Sequence, residues 1–191
     1  MARVLLIHHS GIIGGAGVSL YHVMKALKND NELYVAVSTD PDDMMKLFAS
    51  DPAVTVIPYG RRIGAVTYYS GGDPAFSPRF LYRALLILRQ KRYFDRLIKE
   101  IAPDVVVVNS MTTSWIGKLP QVKKRRSICF VRETFRGNGK RFVNRYIRAC
   151  LERFSKVVFL SEYDKKAASL QRASTQVIHN YCSDDRFSLS L

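Results

Sequence analysis

The chain has 191 residues, 47% of them hydrophobic, and a formal net charge of +14. That length suits one domain, and the apolar content supports a core and excludes intrinsic disorder. No apolar run approaches the roughly 18 residues of a spanning helix, the N-terminus lacks a signal-peptide layout, and Cys129, Cys150 and Cys182, few and far apart, fit reduced thiols in a cytosolic setting and not a disulfide framework or zinc site.

Val4–Ile7 is apolar and reads as a first buried strand. His8 to Gly17 is a glycine-rich turn, and Val18 to Lys28 carries Leu20, Val23, Met24 and Leu27 at helical spacing. Strand, glycine turn and helix in that order open a doubly wound α/β fold. Glycines admit close approach of a ligand to the backbone, and free N–H groups at a helix start attract an anion. Packing of helix on strand is the alternative use of this turn. The dinucleotide pattern G-x-G-x-x-G fails, because Leu20 stands where its third glycine belongs.

Leu33–Ser38 reads as a second strand. A short helix is expected over residues 41–49, with Asp40 as N-cap and Pro41 at its first position. Val54–Ile57 is a third strand ended by Pro58. Tyr59 to Pro78 is rich in Gly, Pro and aromatics, and a loop of that length in a compact domain is usually functional or mobile. Arg79 to Ile101 reads as a long basic helix with Leu81, Leu85, Leu88, Phe94, Leu97 and Ile101 on its apolar side. Such a helix packs on a sheet or lies on a membrane. Val105–Val108 suits a central parallel strand, with Asn109-Ser110 at its C-terminal end, where open α/β sheets bind ligands. A short helix over 111–118 follows, then a strand over 127–131 ending in Arg132-Glu133. A helix over 140–154 points Phe142, Ile147, Cys150 and Leu151 inward. A sixth strand over 157–160, a helix over 163–170 and a last strand over 175–178 complete the chain. Alternation of this kind predicts a parallel sheet of about seven strands with right-handed crossovers, in three α/β/α layers.

Charge is concentrated between Lys118 and Lys156, where thirteen basic side chains against two glutamates leave +11. A field of this kind favours an anionic partner: a phosphorylated substrate, an anionic membrane surface or nucleic acid. No nucleic-acid motif accompanies it, so no nucleic acid is expected. No metal is expected, since His8, His9, His22 and His179 show no ligand spacing with acids or cysteines. Adjacent His8 and His9 on a strand would point to opposite faces. A non-catalytic basic module that binds a polyanion is the alternative reading.

Three segments together resemble the N-terminal domain of a retaining, family-4 glycosyltransferase of the GT-B fold. They are Arg3–Ile7 with Gly14-Gly15-Ala16-Gly17, then Pro103-Asp104 with the valine strand and Asn109-Ser110, then Ser155–Glu162 with Val177–Asn180 and Arg186-Phe187. The resemblance implies transfer of a sugar from a UDP- or GDP-sugar to a saccharide or lipid-linked acceptor, as in surface polysaccharide biosynthesis, with no other cofactor. It implies that Gly14, Gly15, Ala16 and Gly17 face the donor diphosphate. It puts the acceptor near His9, Tyr68, Tyr69, Asn109, Ser110, Arg132 and Glu133. Arg132 and Glu133 are the catalytic candidates, standing where the family often has His-Asp or His-Glu. Residues 1–187 would form the acceptor-side domain and 188–191 the start of a linker, with the donor-binding C-terminal domain absent and the fragment alone inactive. The implied location is cytoplasmic, peripheral on the inner face of the membrane, where the basic segment and helix meet an anionic acceptor or the lipid carrying it.

Overall fold

In a computed structural model of the chain, residues 1–60, 63–64, 76–134 and 141–180 are described. The chain alternates strand and helix: β1 (Ala2–Ile7), α1 (Gly15–Leu27), β2 (Asn31–Val37), α2 (Asp43–Ala49), β3 (Val54–Pro58), α3 (Pro78–Ile101) and β4 (Val105–Val108). A 3₁₀ helix (Met111–Lys118), α4 (Pro120–Lys123), β5 (Arg126–Val131), α5 (Arg141–Leu151), β6 (Lys156–Phe159), α6 (Glu162–Ala168) and β7 (Ser174–Val177) follow. The seven strands form one parallel sheet in the order β3-β2-β1-β4-β5-β6-β7. The order reverses between β1 and β4, and such a switch point opens a crevice at the C-terminal strand ends. Pro58 is tolerated because β3 is an edge strand.

Two apolar layers hold the sheet. One packs α3, the 3₁₀ helix, α5 and α6 against it, around Phe94, Trp115, Ile147 and Phe159. The other packs α1 and α2 on β1–β4, around Leu20, Met24, Met44 and Phe48. The valine strand serves both, with Val106 in the first layer and Val107 in the second. On the α1 side, among the described residues, no helix covers β5–β7, and Ile128 and Phe130 are only half-buried.

Several expectations need correction. The first helix begins at Gly15 and not Val18, so the glycines are its first turn. The N-cap of α2 is Asp42, not Asp40. The Gly11 carbonyl accepts from Met44 N at 2.8 Å in the first turn of α2, and Gly11 passes Pro41 so closely that a Cβ there would not fit. On α3 the buried stripe is Phe80, Ile87, Phe94 and Ile98, while Leu81, Leu85 and Leu88 are exposed. On α5 Phe142 points out and Val143 points in. Tyr59 belongs to the core, and Ile63 and Gly64 continue it: the Gly64 carbonyl accepts from Trp115 Nε1 at 2.7 Å, and its N–H donates to Gln90 at 2.6 Å. Tyr68, Tyr69, Cys182, Arg186 and Phe187 lie outside the described residues.

Candidate functional site

Four strand ends meet at one edge. β1 delivers His8, His9 and Ser10, β4 delivers Asn109 and Ser110, β5 delivers Arg132 and Glu133, and β7 delivers Asn180. Asn109 ties them together and is fully buried. Its amide nitrogen donates to Ala16 O at 2.9 Å and to His8 Nδ1 at 3.1 Å. Its amide oxygen accepts from Arg132 Nε at 3.1 Å. These partners fix the amide orientation and the His8 tautomer: Nδ1 accepts, so Nε2 carries the proton. That Nε2 is buried against Gly17 and has no partner among the described residues.

Burial, with positive charge on Arg132 and any on His9 added to it, pushes His8 down to about 3. Burial lowers His9 as well, partly offset by Glu133 and by the Asn109 carbonyl. Both rings are therefore neutral at pH 7. His9 Nδ1 lies 3.3 Å from Asn109 O. A carbonyl only accepts, so His9 Nδ1 is the donor and Nε2 keeps its lone pair. The strand ends at Ile7, and the two rings do not take opposite faces: they sit 5.0 Å apart, edge to face, and line one cavity. Tyr59 supports this corner, its hydroxyl donating to His8 O at 2.6 Å.

Arg132 is half-buried and stacks 4.7 Å from the Phe130 ring centroid. Its Nη1 donates to Asn180 Oδ1 at 2.8 Å, and Ser19 Oγ donates to the same oxygen at 3.3 Å. Burial lowers its pKa, but arginine starts so high that the charge stays. Among the described residues its side chain donates to two neutral amide oxygens, with the Glu133 charge close by. Glu133 is occupied differently. Its carboxylate accepts from the Ser110 hydroxyl, from Met111 N at 3.0 Å and from Arg132 N at 3.2 Å. It fastens the turn after β4 to the end of β5.

The N-terminus of α1 faces the same space. Gly14 is the N-cap in extended backbone and supplies no side-chain cap. The first-turn N–H groups of a helix have no intrahelical partner, and the space beside Gly14 and Gly15 is open, since a Cβ there would meet nothing within 4 Å. Gly17 is different: a Cβ there would lie 2.6 Å from Met44 Sδ and 3.1 Å from His8 Nε2. A cavity of about 290 Å³ is lined by His8, His9, Ser10, residues 14–17, Arg132 and Glu133. A second of about 560 Å³ lies beyond Arg132, between α1 and the uncovered end of the sheet.

The structure thus brings His9, Asn109, Ser110, Arg132, Glu133 and the glycine turn to one edge. Sequence reasoning missed Ser10, Asn180 and the bridging role of Asn109. The rule that picked residues 109 and 132, position just after a parallel strand, would also have picked Asn180. Among the described residues no group of His, Cys, Asp or Glu is arranged to hold a metal. Cys129 is a core residue whose thiol is pushed up by burial.

This sheet order is that of a Rossmann-like, doubly wound α/β fold, with the uncapped start of α1 beside its switch point and Arg132 at the end of β5 close by. The model of Glycosyltransferase Family 4 matches residues 13–186, and the chain belongs to that family. No curated protein sequence matches it. Among solved structures, Anabaena HepE in complex with UDP-glucose superposes with a TM-score of 0.66 at 16% identity, over 97% of this chain and 45% of that one. Arabidopsis thaliana UGT89C1 complexed with UDP gives 0.63 at 13%, over 95% and 53%. The lipopolysaccharide outer core galactosyltransferase WaaB gives 0.60 at 14%, over 96% and 46%. The chain spans about half the length of these proteins, and at such identities the likeness is one of fold.

Proposed function

We propose that the chain is the acceptor-side half of a retaining glycosyltransferase that moves a sugar from a UDP- or GDP-sugar to a saccharide or lipid-linked acceptor in surface-polysaccharide biosynthesis. The observation that carries this reading is the open, uncapped start of α1 on the same cavity as Arg132. Transfer breaks the bond between the sugar's anomeric carbon and the diphosphate, and negative charge grows on the leaving oxygens. Helix N–H groups and an arginine that, among the described residues, is held by neutral amide oxygens are suited to receive it. His9 Nε2 offers a lone pair to a substrate hydroxyl. Glu133, held by three donors, positions the 110–111 turn and the Arg132 backbone. That HepE was solved with UDP-glucose and UGT89C1 with UDP, and that WaaB is a galactosyltransferase, supports a nucleotide-sugar substrate.

In this reading a second half of the kind those longer relatives have holds the nucleotide, and the work is done at the inner face of the cytoplasmic membrane. The 191 residues alone therefore bind nucleotide sugars weakly and do not turn them over. Calorimetric titration and a radiolabelled-sugar transfer assay test this, and turnover by the verified 191-residue chain would sink it. In the complete enzyme, Arg132→Ala should lower kcat/KM by about 100-fold or more. Retention of full activity by that variant would remove Arg132 from the site.

A further inference from the structure

Ala16 and Ser19 stand at i and i+3 on α1, so they share a face of it. A closed ring of hydrogen bonds starts and ends on that face. The Ala16 carbonyl accepts from Asn109 Nδ2 at 2.9 Å, and Asn109 Oδ1 accepts from Arg132 Nε at 3.1 Å. Asn180 Oδ1 accepts from Arg132 Nη1 at 2.8 Å, and the same oxygen accepts from Ser19 Oγ at 3.3 Å. Arg132 is the midpoint of the ring, which closes through Asn180. Asn180 lies 48 positions from Arg132 and 161 from Ser19, so tertiary structure and not a local turn makes these contacts.

A guanidinium only donates, so the Asn180 atom that faces it is the amide oxygen. The backbone that carries Asn180 is placed by Ile178 N, which donates to Phe159 O at 2.9 Å and prolongs the β6–β7 pairing. The Phe130 ring, 4.7 Å from the guanidinium carbon, supports the plane of the fork but leaves it free to turn within that plane. Asn109 holds the Nε side and Asn180 the Nη1 side, and two anchors fix the turn. The fork then lines the cavity that residues 14–17 of α1 line. An aspartate would hold an arginine more strongly, because both partners would be charged. It would also cancel much of the cation's pull on a third, anionic group. An amide oxygen holds the fork and adds no charge. Among the described residues the nearby Glu133 carboxylate is bonded to the Ser110 hydroxyl and to the backbone N–H groups of Met111 and Arg132.

We propose that Asn180 is a positioning residue: through a neutral oxygen it fixes the Arg132 guanidinium beside the start of α1, so that an arriving diphosphate meets an oriented cation. The hold on Arg132 rests on geometry alone, and the diphosphate rests on the function proposed above. The other use of Asn180 is as a connector that ties the end of β7 to α1. The two roles ask different things of the side chain. A connector works at least as well as aspartate, which has the same size and accepts the same two hydrogen bonds more strongly. A residue that orients a cation for an anion does not, because the aspartate opposes the anion. Stability and anion affinity therefore rank the aspartate and alanine variants in opposite orders.

The test compares Asn180→Asp with Asn180→Ala in the 191-residue chain, with inorganic pyrophosphate as the probe at fixed ionic strength. In urea the aspartate variant should unfold no earlier than the alanine variant. In an NMR titration Asn180→Ala should weaken pyrophosphate binding about three-fold, since a freed arginine must be ordered on binding. Asn180→Asp should weaken it about ten-fold or more. Lys124→Gln also lowers the net charge by one, but at the opposite edge of the sheet, and should change affinity by less than about two-fold. Without ligand, the Arg132 Nη protons, identified by their loss in Arg132→Lys, should give separate signals in the parent and one averaged signal in Asn180→Ala. Tighter or equal binding by Asn180→Asp than by Asn180→Ala would overturn the proposal. So would identical Nη signals in parent and alanine variant, or a Lys124→Gln effect as large as that of Asn180→Asp. If Arg132→Ala leaves pyrophosphate binding unchanged, the diphosphate assignment above fails and this proposal with it. If Arg132→Ala weakens binding and Asn180→Asp does not, that assignment stands and the role of Asn180 alone is lost.

Discussion

Gly14, Gly15 and Gly17 sit in one short turn and do different things. A Cβ on Gly15 would meet open space, and one on Gly17 would press on Met44 and His8. Gly15→Ala should therefore leave stability unchanged or raise it by up to about 1 kcal/mol. Gly17→Ala should cost about 1 kcal/mol, the low end for overpacking, because a methionine can give way. Urea unfolding of the two variants checks the opposite signs. Gly11 is more tightly placed than either, its Cβ position lying 1.7 Å from a backbone oxygen. His8 supplies a pH dependence. It is buried and neutral, with a folded pKa of about 3 against an ordinary 6.5. The unfolded chain binds the proton and the folded chain does not, so stability is full above pH 6.5 and falls toward pH 3, by roughly 1.4 kcal/mol per pH unit inside that window. Unfolding curves from pH 7 to pH 4 should show this slope, and His8→Asn should flatten it whatever it does to absolute stability. An equal slope in the variant would mean that other groups dominate. At this scale the sequence showed which residues end strands and so which could gather. It could not show that Asn109 would bond Ala16, His8 and Arg132 together, because those contacts join positions up to 101 residues apart.

Helix α3 shows the limit of periodicity. Leu81, Leu85 and Leu88 make an apolar stripe by spacing, and so do Phe80, Ile87, Phe94 and Ile98. Pattern alone does not say which of them meets the sheet. Tertiary shape decides: Phe94 stacks edge to face with Tyr59 at 5.4 Å and with Trp115 at 5.9 Å, and large rings fill the space over β1 and β4. Phe94→Ala should cost about 3–5 kcal/mol. Leu85→Ala should stay within about 0.5 kcal/mol, as an exposed position does. Chemical unfolding in urea distinguishes them, and similar costs for the two would reverse the facing of the helix. The ends of the element were legible, since Ser77 caps it through Phe80 N and Pro78 opens it. On α5 the same ambiguity turned Phe142 outward and Val143 inward.

For the whole molecule, the all-parallel sheet was readable from alternation alone, because parallel neighbours need crossovers and right-handed crossovers leave few arrangements. The position of the switch between β1 and β4 was not, since strands in a doubly wound sheet look alike until they pair. Charge was readable in amount but not in placement. Among the described residues the basic run from Lys118 to Lys156 is split: Lys123, Lys124, Arg126, Arg153 and Lys156 lie toward the N-terminal strand ends, whereas Arg132 is at the site edge. Lys118 is spent on the Tyr146 ring, 4.3 Å away. The chain carries a net +14 that repels itself. The ion pairs among the described residues offset little, because most are exposed and such pairs are worth at most about 1 kcal/mol each. The exception is Asp51, whose carboxyl is held down to about 2 by Lys28 first, with Ala53 N and Lys25 adding to it. Screening should then relieve more repulsion than it removes attraction. The melting temperature is expected to rise as sodium chloride goes from low to roughly physiological strength, where the Debye length shrinks to about 8 Å. Differential scanning calorimetry at fixed pH 7 reads the sign directly. A melting temperature that falls with salt would show that attractive pairs, and not the uncompensated positive charge, govern the stability of this fold.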